Sequence, residues 1–153
     1  MKYIFLDVDG VLNSSERWDD CHLVSQDRLS KIDDRAVFRL LKIVEQTGAV
    51  CVISSTWRLY DDMLTGLCET LFEVGIDVVG YTSDLREIHH GQGTDRSRAY
   101  EIRKWLIESG DCEAFVIIDD DLDARIEDHY VGTMFETGLL DQHIERAIRI
   151  LNM

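Results

Sequence analysis

The chain has 153 residues, 45% of them hydrophobic and 30% charged, and thirty acids against sixteen bases give a formal charge of −14. A single domain of this length buries ~68–70% of the surface its unfolded chain exposes, so residues 1–153 read as one domain, with no need of disulfide staples. The charge disfavours an extended nucleic-acid surface by long-range repulsion, but a carboxylate-rich chain is suited to a divalent metal.

In chain order, Tyr3 to Val8 is a short apolar run ending on acids, which predicts a buried strand. Residues 13–33 are polar and aperiodic around Trp18 and Leu23, a loop long enough to serve as a flap or mini-cap. From Asp34 the spacing of Val37, Leu40, Leu41 and Val44 predicts a helix stopped by Gly48. A second strand follows over Ala49–Ile53 and runs into Ser54-Ser55-Thr56. The next helix is expected over Leu59–Val74, with Met63, Leu64, Leu67, Leu71 and Val74 inward and Gly75 as its stop.

Ile76 to Val79 predicts a third strand, and residues 81–95 a polar loop. Ser97 is placed to cap a helix that faces Ile102, Trp105, Leu106 and, at the margin, Ile107 inward and ends at Gly110. Ala114 to Ile118 is a strongly apolar fourth strand that leads directly into Asp119-Asp120-Asp121. A short strand is expected near Tyr130–Thr133, then an amphipathic helix on Ile144, Ala147, Ile148 and Leu151.

Nearly all-apolar strands alternating with helices predict an α/β fold: a three-layer α/β/α sandwich with a mainly parallel, doubly wound, Rossmann-like sheet. Ligands in such folds bind beyond the carboxyl ends of the strands, where this chain carries Asp7-Val8-Asp9, Ser54-Ser55-Thr56 and the acidic run at 119–121. The opening MKYIFLDVDG does not read as a secretory signal, and no run approaches the length of a membrane span. Cys21, Cys51, Cys68 and Cys112 contain no CxxC pair, which points to free thiols in a reducing cytoplasm rather than to a zinc site.

A lone DxD reads equally as an acidic turn. With a third acidic strand end, Asp7, Asp119 and Asp120 become a hard, oxygen-only set that favours Mg²⁺. Asp121 and Asp123 read first as solvated or capping acids, with a part in the metal site left open. Phosphate chemistry also needs hydroxyl and cationic donors. Ser54 can supply one, Ser55 or Thr56 fits a helix cap, and Arg96 and Arg98 both stand where a cation could reach over the sheet edge.

FLDVDGVLN, VISSTWR, RAYEI-RKWL and FVIIDDD, in that order, resemble the four motifs of the haloacid dehalogenase-like (HAD) hydrolase superfamily across residues 5–123. VDGVLN with SSTWR and a late GLL further resembles the small HAD domains grouped with Swiss-army-knife RNA-repair proteins. The resemblance implies a Mg²⁺-dependent phosphomonoester hydrolase with Asp7 as nucleophile, forming an aspartyl-phosphate, and Asp9 as acid and base. It implies phosphate contacts from Ser54 or the adjacent Ser55 and from Arg98, with Arg96 the competing choice. It implies metal binding by Asp119 and Asp120 together with Asp7 and Asp9.

No stretch is long enough for a folded cap, so a capless or minimally capped member is expected, with Trp18, Trp57 and Arg58 as candidate specificity residues. For Trp57, packing beneath the loop is the equal alternative. The expected partner is a phosphorylated substrate, a nucleotide or a nucleic-acid phosphate end, with no membrane association; the oligomeric state is open. Alternatives are another small phosphometabolite as substrate, a phosphoacceptor or receiver-like domain, and a catalytically silent binding domain.

Overall fold

The computed structural model describes residues 1–16, 28–86 and 97–153. Five strands are defined: β1 (Lys2–Leu6), β2 (Val50–Ile53), β3 (Val78–Tyr81), β4 (Ala114–Asp119) and β5 (Tyr130–Gly132). Among the described residues, four α-helices are defined in full: α1 (Asp34–Thr47), α2 (Asp61–Glu73), α3 (Ser97–Ser109) and α4 (Asp141–Leu151). The strands form one parallel sheet in the order β3-β2-β1-β4-β5.

Given that order, the right-handed crossover assigns each connecting helix to a face. α1 and α2 carry the chain outward from β1 to β3 on one face. α3 returns it past β1 to β4 and therefore crosses on the other. Side-chain alternation sorts the core the same way. Ile4, Leu6, Cys51, Ile53, Val116 and Ile118 pack with α1, α2 and α4, while Tyr3, Phe5, Val52 and Ile117 pack with Ile102 of α3. The sheet is covered on both faces, which is why its strands carry so few polar residues.

The direction of winding reverses between β1 and β4, and the crevice at such a switch point is where an α/β sheet binds its ligand. Ladder bonds continue past the strand ends: Asp7 N–H donates to the Ile118 carbonyl at 3.1 Å and Ser54 N–H to the Leu6 carbonyl at 2.9 Å. By parity Asp7, Ser54 and Asp119 extend the Phe5, Val52 and Ile117 rows, so all three stand on the α3 face.

Two elements differ from expectation. The helix expected over Leu59–Val74 is a 3₁₀ turn at Thr56–Leu59 followed by α2, because Ser55 accepts the Trp57 N–H and starts a separate short turn. Val74 therefore falls at the helix end and is 43% exposed rather than inward. β3 begins two residues later than the apolar run suggests: Ile76 is core but unpaired in the ladder, and pairing starts at Cys51 opposite Val78. Among the described residues, no helix is long and apolar enough to cross a membrane.

Candidate active site

At the β1–β4 crevice, Asp7, Asp119 and Asp120 each offer a carboxylate oxygen, and these oxygens lie within 4.8 Å of one another. Asp119 is fully buried and Asp7 nearly so. Arg98, in the first turn of α3, reaches between them: its Nη1 donates to Asp119 Oδ2 at 2.9 Å and stands 3.5 Å from Asp7 Oδ2. The other Asp119 oxygen accepts the Asp121 N–H, and the Tyr130 hydroxyl donates to the Asp119 and Asp121 carbonyls, so the acidic run is fixed along its backbone.

Packing carboxylates together away from water disfavours their ionised forms. Burial, then the charge of Asp119, holds Asp7 well above the usual carboxylate range, with Arg98 pulling the other way. Burial pushes Asp119 up to about 6 against the opposing charge of Arg98, and Asp120 is also raised, chiefly by burial. Arg98 is correspondingly held in its charged form by Asp119 and Asp7, which outweigh its desolvation. A net-negative oxygen cluster of this kind suits a compact hard cation, and the donor set fits Mg²⁺.

Gly10 makes the cluster sterically feasible. It adopts φ +80°, and a Cβ there would collide with the Asp120 carboxylate. Its N–H donates to Asn13 Oδ1, and its carbonyl accepts the Thr133 hydroxyl at 2.6 Å, which ties the exit of β1 to that of β5.

Asp9 takes a different position. Its Oδ1 accepts Asn13 Nδ2 at 2.8 Å and the indole N–H of Trp57 at 3.2 Å. It lines the open cleft, and its carboxylate is not part of the Asp7, Asp119 and Asp120 cluster that was expected to include it. The chain turns at Gly10, which aims the two acids of the DxD at different points. Ser54 Oγ is buried with no hydrogen-bond partner, a hydroxyl free to serve a bound group. The Ser55 hydroxyl oxygen accepts the Trp57 N–H and so caps the turn that Trp57 enters.

Of the three candidate specificity residues, Trp57 and Arg58 are enclosed, and for Trp57 the packing alternative is the one seen. Trp57 is completely buried and reaches the site only through its N–H on Asp9. Arg58 is buried too, and spends its guanidinium on the Thr82 carbonyl (2.9 Å), the Ser55 carbonyl (2.6 Å) and Glu101 (3.0 Å). A guanidinium this enclosed is held by its carboxylate partner and two carbonyls, and Arg58 is not among the described residues lining the cleft. Trp18 and Arg96, and most of the 13–33 and 81–95 loops, lie outside the described residues.

The Asp121 and Asp123 side chains brace the segments around them. Asp121 accepts the Asp123 N–H, and Asp123 accepts the Ser97 hydroxyl (3.2 Å) and the Arg98 N–H (3.3 Å), anchoring the helix end that carries Arg98. The cleft has a volume of about 500 Å³, and its lining includes Thr56, which the sequence offered only as a helix cap, and Leu122 and Phe135, which it did not single out. The Asn of FLDVDGVLN was the visible signal for Asn13; nothing local marked Leu122 or Phe135.

A parallel α/β sheet with acids at the β1 and β4 ends, a hydroxyl after β2 and a cation on the returning helix defines a Rossmann-like hydrolase domain of the HAD type. The model of the family described as the HAD domain in Swiss Army Knife RNA repair proteins matches residues 3–144, and the chain belongs to that family. Membership implies activity of the hydrolase or phosphatase kind. Comparison with curated proteins and with solved structures found no match.

Proposed function

We propose that this domain hydrolyses phosphomonoesters through an aspartyl-phosphate on Asp7, with Mg²⁺ held by Asp7, Asp119 and Asp120, and that its substrate is a nucleotide or a nucleic-acid phosphate end. The observation that carries this reading is the split environment of the DxD. Asp7 sits among cluster and cation, whereas Asp9 is oriented from behind by Asn13 and Trp57 and faces the cleft.

When bound, Mg²⁺ would neutralise the negative charge shared by the carboxylates and an incoming phosphate. The protein's own groups supply the rest. Arg98 pairs with Asp7 and is placed to meet a phosphate oxygen, and the partnerless Ser54 hydroxyl is a second donor. An Asp7 oxygen attacks phosphorus, the bond to the leaving oxygen breaks, and Asp9 gives that oxygen its proton. Water then attacks the phosphorus of the acyl-phosphate, Asp9 takes the water's proton, and Asp7 is released as carboxylate. Cys51, Cys68 and Cys112 are all free, in keeping with a reducing, cytoplasmic setting.

Phosphate release from mononucleotides and phosphorylated oligonucleotides, measured with Mg²⁺ and with excess chelator, tests the proposal. Release that requires Mg²⁺ and is poorly supported by Ca²⁺, which takes more ligands at longer distances, is the expected result. Undiminished hydrolysis in chelator would refute the metal assignment.

A further inference from the structure

We propose that Leu122 and Phe135 form the leaving-group subsite, and that it takes the neutral planar ring of a substrate carrying a single phosphate, a nucleoside monophosphate rather than a polyphosphate or a nucleic-acid end. This rests on the phosphatase reading above and narrows its substrate.

The first support is charge. Among the described residues, the cleft is lined by the carboxylates of Asp7, Asp9, Asp120 and Asp121 against one cation, Arg98. Arg98 is already committed to Asp7 and Asp119 at the point where the transferred phosphate must sit. A second phosphate beside Asp121 would meet a carboxylate and, among the described residues lining the cleft, no further cation, and like charges repel strongly outside bulk water. A dianion that ends in an uncharged group escapes that penalty.

The second support is the mouth of the cleft. Leu122 is 67% exposed and Phe135 40% exposed, yet both line it. Neither is on a loose segment. Leu122 opens a 3₁₀ turn capped by Asp121 and closed by the Arg125 N–H on the Leu122 carbonyl. Phe135 lies in the turn between Met134 and Gly138, which pair across it, and its carbonyl accepts the Ser15 N–H at 3.0 Å.

Gly138 presses this turn onto the exit of β1 so closely that a Cβ would meet the Val11 and Asn13 carbonyls. Two apolar side chains on fixed backbone beside an acidic cleft are preorganised for a flat apolar group, which loses little freedom in ordering them. The ring that binds there gains stacking and burial without any cationic partner.

The experiment compares kcat/KM for phosphate release, with Mg²⁺, from a nucleoside monophosphate, its diphosphate, glycerol phosphate and a phosphorylated oligonucleotide. Wild-type protein, Phe135→Ala, Leu122→Ala and Phe135→Tyr are assayed side by side. The wild type is expected to prefer the monophosphate. Phe135→Ala should reduce its preference over glycerol phosphate by roughly ten-fold, the scale of one lost aromatic–base contact, mainly through KM. Phe135→Tyr, which keeps the ring, should restore the preference. Equal or better turnover of the diphosphate or the oligonucleotide end overturns the inference while leaving the phosphatase reading intact. A loss in Phe135→Ala that is the same for glycerol phosphate also overturns it. Absence of phosphate release from every substrate overturns the phosphatase reading, and this inference with it.

Discussion

Replacing Arg58 by Ala separates a structural from a substrate-binding arginine. Arg58 and Glu101 form an ion pair at 3.0 Å whose side chains are 3% and 2% exposed. The same guanidinium donates to carbonyls after β2 and after β3, and the second Glu101 oxygen accepts the Leu85 N–H at 2.9 Å. Arg58→Ala leaves Glu101 enclosed with only that backbone donor. Breaking a buried pair on one side costs about 3–5 kcal/mol. At about 2–4 °C per kcal/mol for a domain of this size, Tm should fall by roughly 6–20 °C.

Burial already raises the Glu101 carboxyl above its ordinary value, with Leu85 and Arg58 opposing. Without Arg58 it takes a proton more readily, so the deficit should shrink as pH falls. The double variant Arg58→Met/Glu101→Leu, with no stranded charge, should melt well above Arg58→Ala. Thermal denaturation followed by circular dichroism at about pH 7 and about pH 5 reads all three effects. An unchanged Tm in Arg58→Ala, accompanied by a raised KM, would refute this reasoning and return Arg58 to the substrate.

In chelator, stability should fall as pH rises from about 4 to about 7. Asp119 has a folded pKa raised to about 6 from 3.8, so its contribution is fully present below the unfolded value and is lost as pH rises through the folded one. At 1.36 kcal/mol per unit this is on the order of 3 kcal/mol. Asp7 shifts in the same direction. Mg²⁺ should therefore raise Tm more at about pH 7 than at about pH 5, where protons compete for its ligands; a gain independent of pH would contradict the carboxylate site. Trp57→Phe keeps the buried ring but removes the N–H that orients Asp9. It should lower kcat by roughly ten-fold, the scale of one hydrogen bond to a charged group, with little change in KM. An unaltered kcat would show that Asp9 needs no such support.

Much of the fold was legible because burial on both faces of the sheet writes continuous apolar runs into β1, β2 and β4. The helical spacing of Val37 and Leu40, and of Ala147 and Leu151, likewise marked α1 and α4. β3 was displaced because an edge strand is defined by its pairing, which an apolar run does not report. The acids of the cluster and Arg98 were readable from strand ends and the motifs following them. Arg58 was not: its burial depends on Glu101, which lies 43 positions away. Phe135 was missed for the same reason, since its place at the cleft depends on contacts with the residues that leave β1. The acid two residues after Asp7 was legible, but its separation from the cluster depends on the turn at Gly10 and on donors from two other segments.

The central claim is that Asp7 carries the phosphoryl group. The direct measurement is mass spectrometry of the acid-quenched enzyme during turnover with Mg²⁺, set beside phosphate release by Asp7→Asn. Wild-type protein should bear one phosphoryl group on the peptide containing Asp7. Asp7→Asn should bear none and release no phosphate, with a Tm held or raised because one buried carboxylate has been neutralised. Near-wild-type turnover by Asp7→Asn, or a phosphoryl group on a different residue, would contradict it.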